Sequence, residues 1–413
     1  MLNSFHDIIR TSTQNNRRIG LAVSGGADSM CMTLLFSQIN FYELTVFIVD
    51  HRLRKESTEE AIWVKNYIQN NFKFDASILT VEKSIKKNIQ SQARHARYGL
   101  MIKECEKLQI EYLCTAHNQN DLAETVLMNI MRGSGIDGLV GIKEKSYMNN
   151  VVILRPLLRY SHQEIRTYLQ DYNIKWVEDS SNHNDKYERV KIRSVIKTIE
   201  NSNLVNAHML IPRLNMLSLN ALRVSNFLNH YVKEKITEIC KFWHMNVITF
   251  KAKDLLSEDD EVSLRIMRDL ISECGQKQYS VRGESLYRLY ENIKMSYNTK
   301  KSFDMTLGGC IIYSSKQHED IVIVISQEKL YKHIDSNSQF VRKNEIKKLI
   351  KAIAYENSEY NVYDEKIYRL VKEMIANIPR VSKILLGIDY HEALINGKKE
   401  LVFPSLGISK VLV

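Results

Sequence analysis

Residues 24 to 29 read Ser24-Gly25-Gly26-Ala27-Asp28-Ser29, set between the apolar runs Ile19-Gly20-Leu21-Ala22-Val23 and Met30 to Phe36. Strand, glycine turn and helix start is the layout of a phosphate-binding loop. Paired glycines let the backbone turn tightly and aim several N–H groups at one anion. The helix that follows adds free N–H groups and the positive end of its dipole. Ser24 and Ser29 supply hydroxyl donors, and Asp28 is placed to hold a metal or a ribose. A serine-rich turn that merely caps a helix would also read this way, but the strand before and the Asp and Ser in register favour the phosphate loop.

Further stretches bear chemistry. Asp50-His51-Arg52-Leu53-Arg54 closes a second apolar run and is either a simple polar strand exit or one edge of a nucleotide site. Ser91 to Tyr98 puts Arg94 and Arg97 three apart on one helix face, where they form a solvated basic face or a guanidinium grip on phosphate or carboxylate. In His117-Asn118-Gln119-Asn120-Asp121-Leu122-Ala123-Glu124-Thr125, Asp121 and Glu124 fit a helix capping box. They equally put two carboxylates at the mouth of a cleft, for Mg²⁺ or an ammonium group. Gly133-Ser134-Gly135-Ile136-Asp137-Gly138 matches G-x-G-x-x-G but follows a helix, so it reads as a helix end and loop, and a dinucleotide oxidoreductase is excluded. Beyond Trp176-Val177-Glu178-Asp179-Ser180-Ser181-Asn182, the bases Lys186, Arg189, Lys191, Arg193 and Lys197 face one acid, Glu188. That stripe is a solvated face or a track for an RNA backbone.

The elements that must position these residues alternate. Leu44–Asp50 and Ile110–His117 are strand-like, Asp75–Val81 is a weaker strand, and Val151–Leu157 is another. Ala93–Leu108, Asp121–Arg132 and Ser161–Tyr172 are helical, the last opened by a Ser161/Glu164 capping box. This alternation predicts an α/β fold with a doubly wound parallel sheet, whose ligands lie at the carboxyl ends of the strands. The loop after Val23, Asp50-His51 and His117-Asn118 all fall there. Composition shifts near residue 200. A helical region follows to about Ser296 without a strong strand, then a small mixed α+β region with strands at Thr306–Ser314, Asp320–Ser326, Lys383–Gly387 and Glu400–Phe403 and helices at Asn344–Tyr355 and Tyr363–Ile378. The expected domains are 1–202, 203–300 and 301–413.

The chain has 413 residues, 44% of them hydrophobic, with Lys plus Arg at 58 against Asp plus Glu at 48. The surplus of +10 suits a polyanionic partner and is spread over both halves. Cys31, Cys105, Cys114, Cys240, Cys274 and Cys310 are scattered with no C-x-x-C, so neither zinc nor an iron–sulfur cluster is signalled, and a reduced, cytoplasmic setting is expected. Met1 to Gly20 lacks an apolar signal-like core, and no run reaches membrane-spanning length.

The hexapeptide resembles the loop of the PP-loop ATP pyrophosphatases, which split ATP into AMP and pyrophosphate. The segments SGGADSM, VDHRLR, ARHARY, TAH-x(4)-AET, RGSG-x-x-G from Arg132, RPLL at Arg155 and W-x-EDSSN with R-x-x-x-R after it together resemble one family of that group, the tRNA(Ile)-lysidine synthetases. The likeness is tight over residues 17–200. It continues loosely to Leu264-Arg265-x-x-Arg268-x-Leu270, which is similar to that family's substrate-binding helices. It implies a ligase that uses ATP and Mg²⁺ to adenylate carbon 2 of the wobble cytidine in a CAU-anticodon tRNA(Ile), after which the ε-amine of free L-lysine displaces AMP. It implies ATP contacts from Ser24 to Ser29, Asp50, His51 and His117, with Mg²⁺ at Asp28. Asp121 and Glu124 would position the lysine ammonium, and Arg97 its carboxylate or phosphate charge. Arg94, Arg189, Lys191 and Arg193 would face the tRNA. A tRNA thiolase and a non-catalytic RNA-binding relic are the rival readings, no membrane partner is expected, and the oligomeric state, a homodimer included, is left open. Two departures stand out: Asn118-Gln119-Asn120 where family members carry more His and Asp, and Val190-Lys191 inside the usual basic run.

Overall fold

A computed structural model describes residues 1–13, 16–52, 57–81, 89–178, 188–202, 206–243, 247–276, 281–317, 320–328, 391–395, 398–403 and 408–412. Two compact units divide the chain, Met1–Ser225 and Asn226–Val413.

The first unit opens with helix α1 (Leu2–Thr13), which buries Phe5 and Ile9, and strand β1 (Arg18–Ala22). Helix α2 (Ala27–Ser37) is apolar almost all round and is buried from Met30 to Phe36, as a helix against a sheet face and a second helix must be. Then come β2 (Glu43–Asp50), α3 (Ser57–Phe72), β3 (Asp75–Thr80), α4 (Ile89–Lys107), β4 (Tyr112–Thr115) and α5 (Gln119–Met131). A short helix α6 (Ile136–Leu139), strands β5 (Lys145–Met148) and β6 (Val151–Leu154), and helices α7 (His162–Asp171) and α8 (Glu188–Glu200) complete the alternation.

The sheet order is β3-β2-β1-β4-β6-β5. Five strands are parallel, and β5 runs antiparallel to β6 at one edge. The order reverses between β1 and β4, so the loops after these two strands open a crevice at the switch point, where such sheets bind ligands. The expected doubly wound sheet is therefore present, with one antiparallel edge strand that no apolar run announced.

Helix α9 (Leu210–Ile239) carries the chain from the first unit into the second. The second unit has β7 (Cys240–Trp243), β8 (Val247–Lys251), α10 (Ala252–Leu256), α11 (Asp260–Gly275), α12 (Gly283–Thr299), β9 (Asp304–Leu307), β10 (Cys310–Gln317) and β11 (Asp320–Gln327). Its sheet runs β7-β8-β11-β10-β9 and shares a core with the helices through Phe250, Ile266, Leu270, Leu289, Ile293, Ile312 and Ile323. Strands β12 (His391–Ile395), β13 (Lys398–Phe403) and β14 (Ile408–Leu412) form a separate antiparallel sheet.

Two expectations need correction. The region 203–296 is not purely helical, because β7 and β8 lie within it and pair antiparallel. Thr306–Ser314 is not one strand: Gly308 and Gly309, at φ 62° and 87°, turn the chain back so that β9 pairs with β10. The helices expected at 344–355 and 363–378 and the strand at 383–387 lie outside the described residues. No helix among the described residues is long and apolar enough to cross a membrane.

Candidate active site at the sheet switch point

The glycine loop leaves β1 at the carboxyl edge. Gly25 has φ 87°, and a Cβ there would sit 2.4 Å from Val64 Cγ2 of α3, so both the turn and the close approach demand glycine. The Gly25 carbonyl accepts a hydrogen bond from Val177 N at 2.9 Å, which fastens the loop from the far end of the unit. Ser29 Oγ closes it from inside, accepting from Ser24 N (3.2 Å) and donating to the Gly26 carbonyl (2.9 Å). Gly26 is the N-cap of α2 and no side chain caps it. The free N–H groups of the first turn are thus left for an anion, which the helix dipole favours.

Asp28 sits on that first turn and meets the start of α5. Asn118 Nδ2 donates to Asp28 Oδ1 at 2.9 Å. The same Asn118 caps α5: its Oδ1 accepts from Asp121 N (3.0 Å), and Asp121 Oδ2 accepts from Asn118 N (3.1 Å). The capping box therefore starts three residues earlier than expected, as Asn118/Asp121 and not Asp121/Glu124. Asn118 is itself a strong N-cap, and Asp121 occupies the third position that the box requires. Glu124 is freed from capping and is buried at 3% exposure.

Glu124 Oε1 accepts from Arg193 Nε of α8 at 2.5 Å, Asp121 Oδ1 lies 3.8 Å from Arg193 Nη2, and Glu124 Oε2 is buried without a hydrogen-bond partner. Burial pushes the Glu124 pKa above the ordinary value, and the Arg193 hydrogen bond offsets only part of this. Burial likewise raises Asp28, the Asn118 bond works against it, and the Asp121 charge adds to it. Asp121 and Glu124 thus face one guanidinium, that of Arg193, and Asp28 adjoins them through Asn118, so the carboxylates already hold one cationic group.

The other half of the site is cationic. Arg94 and Arg97 on α4 lie over the Tyr98 ring, with centroid distances of 5.3 and 5.5 Å. His117, at the exit of β4, has Nδ1 3.0 Å from Thr115 Oγ. Burial drives the His117 pKa well below its usual value, and the charges of Arg155, Arg94, Arg97 and Arg189 drive it further, so the imidazole is neutral. His51 is lowered by burial and by Arg97, against the pull of Asp50. The Asp50 carboxylate is fully engaged at the start of α3, accepting from Arg52 N (2.9 Å), Ser57 Oγ (3.0 Å) and Thr58 Oγ (2.7 Å). Burial works against its charged form, yet the bonds from Thr58, the Arg52 amide and Ser57 hold its pKa below the ordinary carboxylate value.

Asp28, Asp121, Glu124 and Arg193 come together on one side of the sheet switch point, and Arg94, Arg97 and His117 on the other. Arg189 is half-buried beside the cationic group and Lys191 faces solvent, while Arg193 turns inward to the carboxylates. Leu53, Arg54 and residues 179–187 lie outside the described residues. Asn118 and Arg155 went unassigned from sequence. The only signal for Asn118 was its place before Asp121 at a cap spacing, and Arg155 stood out only within RPLL. Among the described residues no group of three or more His, Cys, Asp or Glu side chains is arranged to cage a metal. Gly133, at φ 68°, follows the C-cap of α5, as expected for a helix end and not a dinucleotide loop.

An uncapped helix start at a sheet switch point, beside neutral imidazoles and grouped guanidiniums, defines a PP-loop domain, and residues 2–199 match the family described as "PP-loop domain". A tRNA(Ile)-lysidine synthase from Wolbachia pipientis wMel is 33% identical over 331 residues, covering 79% of this chain and 74% of that one. One from Orientia tsutsugamushi (strain Boryong) is 32% identical over 310 residues, covering 74% and 69%. A U34-tRNA thiolase structure from Methanococcus maripaludis overlays with a TM-score of 0.43 at 16% identity, covering 52% of this chain and 78% of that chain. This chain belongs to the tRNA(Ile)-lysidine synthase family.

Proposed function

We propose that this enzyme joins lysine to carbon 2 of the wobble cytidine of a CAU-anticodon tRNA(Ile), using ATP and releasing AMP and pyrophosphate. One observation carries the reading: an anion-binding helix start and a buried seat for a cation share one crevice, joined through the bond from Asn118 to Asp28. Chemistry between a phosphoryl donor and an amine needs that pairing.

The loop from Ser24 to Ser29 receives the pyrophosphate part of ATP, with Asp50 and His51 shaping one wall and His117 the other. The cytidine oxygen on carbon 2 attacks the α-phosphorus, and the bond to pyrophosphate breaks. Arg97 steadies charge on the phosphate. Asp121 and Glu124 receive the lysine ammonium in the place Arg193 holds here, and one accepts its proton before the amine attacks carbon 2 and AMP leaves. Asp28 and Asp121, two neighbouring carboxylates of which Asp28 has a raised pKa, fit a Mg²⁺ held by one or two carboxylates and substrate phosphates. When bound, that ion would neutralise charge on the leaving pyrophosphate. Arg94, Arg189 and Lys191 face the tRNA backbone, and the helical part of 203–300 makes tRNA contacts of its own. The wobble base leaves its stack to enter the crevice, at a cost of a few kcal/mol.

Sulfur transfer needs reactive thiolates, and all six cysteines are buried. Burial and the Asp28 charge push the Cys31 thiol up to about 12.

The test is incorporation of radiolabelled lysine into an unmodified CAU-anticodon tRNA(Ile) transcript with ATP and Mg²⁺, beside the matching tRNA(Met). Label on the isoleucine transcript alone, lost in D28A with tRNA affinity retained, is the expected result. AMP release without lysine label would overturn the choice of nucleophile.

A further inference from the structure

We infer that Arg155 is a phosphate-binding residue whose guanidinium, at the carboxyl end of β6, completes with Arg97 an anion seat beside His117. Strand pairing fixes the place: Cys114 of β4 lies opposite Leu154 of β6, so Thr115 and Arg155 leave the sheet side by side, and His117 hydrogen-bonds back to Thr115.

Arg155 is only 9% exposed. Its Nη1 donates to the Lys143 carbonyl (2.8 Å) and Ser146 Oγ (3.0 Å), both neutral, and its Nε is buried without a hydrogen-bond partner. Arg97 Nε is in the same state. Among the described residues no carboxylate pairs with Arg155 or with Arg97. A buried guanidinium with no counter-charge is costly, and neighbouring ones add mutual repulsion. Had Arg155 only a structural task, bracing Lys143 and Ser146, a neutral donor would perform it without that cost. Buried Arg155 and half-buried Arg97 each feel the charge of the exposed Arg94, which shares the Tyr98 ring with Arg97, and both charges bear on His117. Cations grouped around one imidazole raise the local potential for an anion. The unused N–H groups of a planar fork match a phosphoryl group.

The phosphate belongs either to ATP or to the backbone of the tRNA, an alternative that rests on the proposed function. The test titrates full-length wild type, R155M and R155K with a non-hydrolysable ATP analogue plus Mg²⁺ and with a CAU-anticodon stem-loop RNA, and records the thermal midpoint of each protein. R155M is expected to bind one of the two probes at least tenfold more weakly, with a midpoint within about 3 °C of wild type, and R155K to recover part of the loss. Loss confined to the analogue assigns the phosphate to ATP, and loss confined to the stem-loop assigns it to RNA. Unchanged affinity for both probes, whether or not the midpoint falls, leaves Arg155 as a brace only and overturns the inference. If R155M does not fold, R155K, which keeps the charge but not the fork, must still weaken one probe. Lysine incorporation by the same preparations separates the two ideas. Incorporation by wild type with R155M affinities unchanged sinks the Arg155 seat alone. No incorporation by wild type, with R155M binding weakened, sinks the proposed function alone.

Discussion

Asn118 Nδ2 lies 2.9 Å from Asp28 Oδ1, across 90 residues of chain. One amide thereby caps α5 and holds a carboxylate on the first turn of α2. N118A should lose both tasks. The missing cap costs about 1 kcal/mol, which lowers the melting midpoint by about 2–4 °C in a domain of this size. The Asp28 pKa should climb, since the Asn118 bond opposes the rise that burial causes. Calorimetry and tRNA-dependent AMP release, expected to fall at least tenfold, check the two halves separately.

Glu124 and Arg193 form the most buried ion pair of the site. E124Q keeps the shape and removes the charge, so the KM for lysine should rise by about tenfold or more while the KM for ATP holds. R193A leaves Glu124 without its partner. Arg193 is 39% exposed in its side chain, so the stability loss is discounted for solvent screening to about 1–2 kcal/mol. Steady-state kinetics and urea unfolding read these out.

The titrating groups act in opposite directions. Glu124 and Asp28 have raised pKa values, so what they contribute to stability is complete below the ordinary carboxylate range and is lost as pH rises through their folded values. Asp50 is lowered: its contribution is present above the ordinary value and is lost as pH falls through the folded one. His117, also lowered, contributes above the ordinary histidine value and loses this as pH falls through that value toward its folded one. Lysine affinity should therefore weaken on the acid side at a pH above the usual glutamate range, and R193M should move that limb higher. In R155M, NMR titration of His117 should show a higher pKa than in wild type, since the strongest charge opposing its protonation is gone.

G25A should be inactive. Its backbone would be strained at φ 87°, and its Cβ would collide with Val64. AMP formation is expected to fall by about two orders of magnitude with stem-loop binding retained. The double variant G25A/V64A should regain stability but not activity, because removing the collision leaves the positive φ in place.

Much of the site was legible because it rests on local rules. The glycine loop, the Ser161/Glu164 box and the apolar runs of β2 and β4 each declare themselves within a few residues. The misses come from competition between neighbouring signals. Asn118 and Asp121 are both good N-caps, and with Asn118 as the cap Glu124 is left to be buried against Arg193. Strands β7 and β8 are four and five residues long and lie between strongly periodic helices, which hid their pattern. Gly308-Gly309 was a turn signal passed over inside an apolar run. Arg193 shares a basic stripe with Arg189 and Lys191, and no spacing rule tells which member turns inward. Only the packing of α8 against α5 does so.

The clamp from Val177 N to the Gly25 carbonyl sets an order in time. In a nascent chain the nucleotide loop emerges well before Val177, so the hydrogen bond that fastens it waits until Val177 has been synthesised and delivered. Until then the loop is closed only from inside, by Ser29. The fastened loop is therefore a late product of synthesis: β4, β6 and α7 are made before its clamp, and α8, with Arg189 and Arg193, follows before the chain enters α9.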